Sequence, residues 1–401
     1  MSSAAVATAV ETPGGRPQEQ IELSIVLPCL NEAETLQACL HTAQTALQQS
    51  AVQGEIIVAD NGSSDGSPEI ASRNGARLIH VELKGYGSAI MGGIGAAKGK
   101  YLLIADSDGQ HDLSQLPQFL GQLRAGADIV VGNRFRGKRI PGATPFLHFY
   151  FGTPVLSALG KLLFRSPVDD FNCGMRALRS DVCRQLNLRT TGMEFASEMI
   201  VKATLLRLKI VELPTTVFPH GRSRPAHLRT WVDGWRHLRF LLLYSPRWLF
   251  LYPGSFMLVA GLAGMLRLSW SDFHSPLFTL GINTLLVSAF AVVIGFQSVA
   301  FAVCSNVFAA TEGLTPVNPR VERVFEIITL EVAIVAGFLL ILCGLLFGGY
   351  MFSQSAALPE SLRDPVRLLR GILPAILSMT LGVQLLLTGF FLSILGLHRR
   401  S

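Results

Sequence analysis

The chain predicts an α/β domain with a mostly parallel sheet, followed by a membrane-spanning region. Three observations predict it. Short apolar runs alternate with segments of helical spacing through the first half, as expected for strands joined by helical crossovers. Two of those runs end in a carboxylate, at Asp60 and Asp106, and open α/β sheets bind ligands at the C-terminal ends of their strands. Beyond residue 248, the stretches 249–266, 276–311, 332–350 and 371–396 carry no charge, and each is long enough to cross a bilayer.

Taken in order, residues 1–20 are rich in Ala, Ser, Thr, Gly and Pro. They lack a basic segment followed by an apolar one, so they read as a disordered tail rather than a signal peptide. Ile21–Pro28 reads as the first strand and Asn31–Ser50 as a helix with Asn31 as its N-cap. Glu55–Asp60 is the second strand, with a turn-rich loop Asn61–Gly66 after it. Ala76–Glu82 is a third strand, Gly87–Lys98 a helix of small residues, and 101–105 a fourth strand. A helix near 112–124 leads to a strand at Asp128–Gly132. The rest is less regular: helix over Pro145–Arg165, strand over Asn172–Leu178, helix over Glu194–Leu206 and strand over Lys209–Pro214. Residues 229–244 mix Trp231, Trp235, Leu238, Phe240 and Leu241 with Arg229, Arg236, His237 and Arg239. That is the pattern of a helix lying in a membrane interface; a helix packed on its own domain is the other reading. The expected domains are thus 1–20, 21–228, 229–245 and 246–398.

The composition agrees with membrane segments. Of 401 residues, 49% are hydrophobic and 15% charged, against a usual charged share of about 25%. The formal net charge of +6, with many arginines between 220 and 247, suits an anionic membrane surface rather than nucleic acid. Six cysteines without CxxC spacing indicate neither a disulfide framework nor a metal knot. Four spans put both ends on one side. Arg320, Arg323, Arg399 and Arg400 favour a cytosolic side for them, whereas Arg363, Arg367 and Arg370 argue against it, partly offset by Glu360 and Asp364. Small-residue spacing in the spans permits a homo-oligomer. Glu331, near a span start, reads as a solvated interface residue before a proton carrier.

The richest stretch is Asp106-Ser-Asp108-Gly-Gln110-His111-Asp112. In extended backbone, residues two apart point to one side, so Asp106 and Asp108 face one point, and hard oxygen ligands suit Mg2+ or Mn2+ completed by substrate phosphates. A helix N-cap cluster is the plain alternative. Lys84, Gly85, Gly87 and Ser88 read either as a diphosphate contact at a helix N-terminus or as a tight turn. His111 reads as a metal contact or a helix-entry hydrogen bond. Glu194 and Glu198 read as an acid/base pair, or as carboxylates that cap the helix or pair with arginines.

Together, Val26-Leu-Pro28-Cys-Leu30-Asn31-Glu32, Val58-Ala-Asp60-Asn-Gly-Ser-Ser-Asp65-Gly66, Lys84-Gly-Tyr86-Gly87 and Asp106-Ser-Asp108-Gly-Gln110-His111 resemble the inverting glycosyltransferases of family 2, with the GT-A fold. Gly132-Asn-Arg134, Asp170-Phe-Asn-Cys-Gly174-Met-Arg176, Thr191-Gly-Met-Glu194-Phe-Ala-Ser-Glu198 and His220-Gly-Arg-Ser-Arg224-Pro resemble the polyprenyl-phosphate (dolichyl-phosphate) hexose synthases. The resemblance covers residues 22–245. It implies that Pro28, Leu30 and Glu32 help form a nucleotide-base pocket, with Asp60 beside the base or ribose. Asp106 and Asp108 would hold ribose and a divalent metal, Mg2+ or Mn2+, and Gln110 would complete the shell. Arg134, Arg176 and Arg224 would bind phosphate charge of donor or acceptor. The sequence departs from the pattern at Asn61, where a second Asp is common, at Arg224, where Lys is usual, and in lacking the Arg that often precedes this last motif.

The implied reaction moves a sugar from a UDP- or GDP-sugar to polyprenyl phosphate at the cytosolic membrane face. A phosphate acceptor is already ionised and needs no general base; a hydroxyl acceptor such as that of diacylglycerol does. A glycolipid transport or scaffold protein is the reading from another class.

Overall fold

The computed structural model describes residues 21–138, 140–143, 152–223, 230–274, 279–312, 329–359, 361 and 364–397. The tail 1–20, Arg224, the first part of the helix expected from Pro145, and Arg320, Arg323, Glu360, Arg363, Arg399 and Arg400 lie outside them. The chain divides into two compact units, Met1–His237 and Leu238–Ser401.

The first unit is an α/β layer structure. Its strands are β1 (Leu23–Cys29), β2 (Gly54–Asp60), β3 (Arg77–His80), β4 (Tyr101–Ile104), β5 (Ile129–Asn133), β6 (Arg176–Arg179) and β7 (Ile210–Pro214). They form one sheet in the order β3-β2-β1-β4-β6-β5-β7. Only β6 runs against its neighbours, β4 and β5. The connecting helices are α1 (Ala33–Gln49), α2 (Ser67–Arg73), α3 (Tyr86–Ala96), α4 (Leu116–Arg124), α5 (Thr153–Phe164), α6 (Ser180–Leu186) and α7 (Phe195–Leu205). The stretch of β1 from Ile25, β4 and the first four residues of β5 read as continuous apolar runs because they are covered on both faces, and Ile25, Val26, Leu103, Ile104, Ile129 and Val130 are buried.

The sheet brings the carboxylates together. From β1 the chain moves outward through β2 and β3, then returns to β4 on the other side of β1, which makes the β1–β4 junction a topological switch point. Cys29 is level with Asp60, and Val26 with Ile104. Asp106, two residues beyond Ile104, therefore emerges near Pro28, whose carbonyl accepts a 2.7 Å hydrogen bond from Ser107 Oγ.

Three local expectations change. Asn31 does not cap α1. Its backbone is left-handed (φ 56°), Glu32 holds the cap position, and Asp65 from the next loop accepts the Ala33 N–H at 2.9 Å. The strand expected from Asn172 starts only at Arg176, whose guanidinium reaches back to the carbonyls of Phe171 and Cys173 and so fastens 171–175 as a turn. The helix expected from residue 112 is a 3-10 turn, Leu113–Gln115, followed by α4 with Pro117 in its first turn; Asp112 accepts the Ser114 N–H at 3.1 Å. Two short helices, α2 and α6, had too little periodicity to be expected.

A further helix, α8 (Thr230–Leu243), contains the boundary between the units. The second unit holds four helices long and apolar enough to cross a membrane: Arg247–Leu268, Ile282–Thr311, Leu330–Ala356 and Pro365–Leu395. The first opens with a π-helical turn, Arg247–Leu251, ahead of Pro253, where the missing N–H and the ring disturb regular α geometry. Glycines set the close helix contacts. A Cβ at Gly254 would lie 2.6 Å from Ser298 Cβ, and one at Gly382 2.6 Å from the Gly337 carbonyl, the small-residue packing expected within lipid. Arg370, one of the arginines that conflicted with the charge rule, forms an ion pair with Asp272. All six cysteines are free thiols.

Candidate active site

The loop after β2 is built by Asp60, which is buried. It accepts from Gly62 N at 3.1 Å and Ser63 N at 3.1 Å. Asn61, also buried, spends its whole amide: Nδ2 donates to the carbonyls of Val81 (3.0 Å) and Leu83 (2.9 Å), and Oδ1 accepts from Gly85 N (2.8 Å). A carboxylate could not make the first two bonds, so the departure to Asn is a local requirement of this loop. The β1 loop is sewn to it by Asn31 N to Ser63 Oγ (2.8 Å), Ser64 N to Asn31 Oδ1 (2.7 Å) and Glu32 N to Ser67 Oγ (2.9 Å). Burial pushes the Asp65 carboxyl upward, but the Ser67 and Ala33 hydrogen bonds prevail and hold it below its usual range.

Lys84 Nζ donates to the Asn61 carbonyl at 2.7 Å. The small residues beside it serve a close backbone approach. A Cβ at Gly85 or Gly87 would collide with the carbonyls of Thr191 or Thr190, and Ser88 N donates to Thr191 O at 3.2 Å. Gly85 also has φ 132°, which favours glycine. The 189–191 loop is in turn held by Glu198, fully buried, which accepts from Arg189 N (3.0 Å), Thr190 N (2.8 Å) and Thr190 Oγ1 (2.7 Å) and pairs with Lys202 Nζ at 2.7 Å. Glu198 is therefore a structural carboxylate. Among the described residues, Glu194 Oε2 is buried without a hydrogen-bond partner.

Asp106 and Asp108 have different surroundings. Asp106 Oδ1 accepts from the Tyr86 hydroxyl at 2.8 Å, and Oδ2 lies 3.1 Å from His111 Nε2. Burial opposes its ionisation, but the His111 and Tyr86 contacts outweigh that and keep the carboxyl below the usual range. Burial and the Asp106 charge push the Tyr86 phenol well above its ordinary value, so it remains a neutral donor. Gly174 is required here: a Cβ would lie 2.7 Å from His111 Nε2 and closer still to Asp106 Oδ2. Asp108 accepts from Gln110 N at 3.1 Å and pairs with Arg222 NH2 at 3.3 Å. Burial first, then the neighbouring Asp106 charge, push its carboxyl up. Arg222 NH1 also pairs with Glu32 at 2.6 Å.

The donor set fits a hard divalent cation. Asp108 is a buried carboxylate whose ionised form needs a cation nearby, Glu32 lies across the same guanidinium, and no cluster of three or more His, Cys, Asp or Glu is found among the described residues. A metal held here would draw most of its ligands from substrate phosphates and water, as Mg2+ and Mn2+ do. Gln110 Nε2 donates to the Ala143 carbonyl at 2.9 Å.

The arginines divide. Arg134 forms a fork with the buried Asp170, Nε to Oδ2 and NH2 to Oδ1, both 2.7 Å. Burial opposes its charge, but Asp170 overrides this and raises its pKa. Arg176 is buried and donates to three backbone carbonyls, of Cys173, Ala196 and Phe171, at 2.5–2.7 Å. It lies beside Tyr86 in the wall of a small cavity that Phe195 also lines. Sequence reasoning assigned no role to Tyr86, Asp170 or Arg222, although each stood inside a quoted motif.

In α8, Trp231 and Trp235 are 84% and 60% exposed on one face, while Asp233 and His237 turn inward. His237 Nδ1 lies 2.8 Å from Ser197 Oγ of α7. Phe240 and Leu241 are buried as well, so the exposed apolar face is narrower than the sequence suggests.

Residues 24–186 match the family model for glycosyl transferase family 2, and 303–396 that for the family's C-terminal transmembrane region. The low-salt glycan biosynthesis hexosyltransferase Agl6 of Haloferax volcanii is 35% identical over 381 residues, covering 93% of this chain and 89% of that protein. An uncharacterised glycosyltransferase of Mycobacterium tuberculosis is 31% identical over 208 residues, half of this chain and 88% of that protein. Among solved structures, glucosyl-3-phosphoglycerate synthase of Mycobacterium tuberculosis, with Mn2+, UDP and glucosyl-3-phosphoglycerate, matches at 23% identity and a TM-score of 0.44, over 59% of this chain and 86% of that one.

Proposed function

Because the chain belongs to glycosyltransferase family 2 and carries that family's membrane region, we propose that it transfers one hexose from a UDP- or GDP-sugar to polyprenyl phosphate at the cytosolic membrane face, with inversion. The supporting observation is the edge where Glu32, Asp60, Asp106 and Asp108 leave the strand ends, in an enzyme with four spans. The likeness to a hexosyltransferase of glycan biosynthesis points the same way.

In this reading Pro28, Leu30, Glu32 and Asp60 receive the nucleoside. Asp108 holds Mg2+ or Mn2+ with the diphosphate, and Asp106, locked by Tyr86 and His111, orients the ribose side. The cation supplies charge neutralisation for the departing diphosphate. Arg134 and Arg224 serve phosphate charge, whereas Arg176, bonded to backbone, shapes the wall. Lys84 braces the Asp60 loop. The acceptor phosphate attacks as an anion, so no side chain need take a proton.

One observation favours a rival acceptor. The buried Glu194 Oε2, unpartnered among the described residues, is a base that a hydroxyl lipid, such as diacylglycerol, would require. The test is direct. Membranes containing the enzyme are given labelled UDP- and GDP-hexoses, Mn2+, and either polyprenyl phosphate or diacylglycerol. We expect one labelled polyprenyl product, lost in Asp108→Asn and with EDTA, and mostly retained in Glu194→Gln. Label on diacylglycerol that Glu194→Gln abolishes would establish the rival; transfer that survives in Asp108→Asn would remove the metal assignment.

A further inference from the structure

Arg222 stands on a strap that crosses the aspartate loop. Val217 bridges to His111, Phe218 N donates to Gln110 O at 3.0 Å, and Ser223 N and Oγ both reach Glu34 at 2.6 Å. The strap is pinned on either side of Arg222, so its guanidinium moves by side-chain rotation rather than by carrying the backbone away. The two ion pairs are unequal and use different nitrogens: 2.6 Å to Glu32 from NH1, 3.3 Å to Asp108 from NH2. All three side chains are at most 10% exposed, where an unpaired carboxylate is costly. The third donor, Nε, is buried with no hydrogen-bond partner among the described residues, and a buried unpaired donor calls for an explanation.

We propose that Arg222 is a tethered counterion of the metal site: it neutralises Asp108 in the donor-free enzyme, yields that carboxylate to the divalent cation, and, kept in place by Glu32, donates to the diphosphate that arrives with the metal. The longer pair breaks while the shorter one holds. The planar fork suits this exchange, because NH2 and Nε lie on one edge and match two phosphate oxygens. This inference rests on the metal assignment to Asp108 made above.

Two ligands should respond to Arg222 with opposite signs. For the metal alone, the guanidinium is a competitor; for metal with diphosphate, it is a ligand. The experiment titrates the full-length protein in detergent with Mn2+ alone, followed by its paramagnetic signal, and then with UDP and separately GDP at saturating Mn2+. Arg222→Met should bind Mn2+ about tenfold more tightly and the nucleoside diphosphate about tenfold more weakly, changes typical of losing one charge-assisted contact. Arg222→Lys should fall between the two on both scales. Mn2+ binding that is unchanged or weaker in Arg222→Met overturns the proposal, as does diphosphate binding that is not weakened. A strap that merely loosened would weaken both ligands. If Arg222→Met fails to fold, Arg222→Lys and Arg222→Gln carry the same two titrations. Asp108→Asn separates the premise: if its Mn2+ binding equals wild type, the metal assignment fails, whatever Arg222 does.

Discussion

At the scale of single residues, the site is governed by what each polar atom is bonded to. Asp106 and Asp108 look equivalent in the sequence, yet one is bonded to Tyr86 and His111 and the other to Arg222 and a backbone amide. Gly174 makes the first arrangement possible. Gly174→Ala would push a methyl into the Asp106–His111 contact. Turnover should then fall by about a hundredfold, as small displacements in a catalytic geometry do, with circular dichroism unchanged. Wild-type turnover would show that the contact is dispensable. Asn61→Asp would set an acceptor against the carbonyls of Val81 and Leu83. A loss of about 1–3 kcal/mol in unfolding free energy is expected; equal stability would remove this explanation of the Asn.

At the scale of elements, the loops after β1 and β2 and the start of α3 form one interlocked unit. Glu198 of α7 holds residues 189–190, and the carbonyls of Thr191 and Thr190 press on Gly85 and Gly87 at the start of α3. The strand ends were legible because apolar runs stop at carboxylates. The interlock was not, because its bonds join separate loops, 24 to 35 positions apart between the β1 loop, the β2 loop and α3 and about a hundred apart between α3 and residues 190–191. α8 carries a pH consequence. Burial lowers the His237 pKa to about 4 from 6.5. Between those values the unfolded chain binds a proton that the folded chain does not, so stability is full above 6.5 and declines as the pH falls towards 4. The window corresponds to about 3 kcal/mol at 1.36 kcal/mol per unit. His237→Gln should therefore lose less melting temperature than wild type between pH 7 and pH 5. Equal acid sensitivity of the two proteins would contradict this account.

At the scale of the molecule, the enzyme comprises an α/β unit and a second unit of four membrane-length helices with close glycine contacts. The charge rule was ambiguous because Arg363, Arg367 and Arg370 follow the third span. The Asp272–Arg370 ion pair offsets one of those charges. If the catalytic unit is cytosolic, the turn between the first two spans lies outside. A Ser271→Cys variant should then react with an impermeant thiol reagent on intact cells. Labelling only after permeabilisation would invert the topology.

The sequence by itself determined the layers, the strand ends that carry acids and the four spans, because burial on both faces of a sheet and in lipid imposes composition locally. Tertiary structure alone decided which acid is spent and which is available. It also decided that the Gly85–Gly87 stretch serves backbone approach and that Glu198 is structural. Most decisively, it paired Arg222 with Glu32 across 190 positions. Hydrogen-bond partners over such separations are set by strand order and register, which no local pattern of residues encodes.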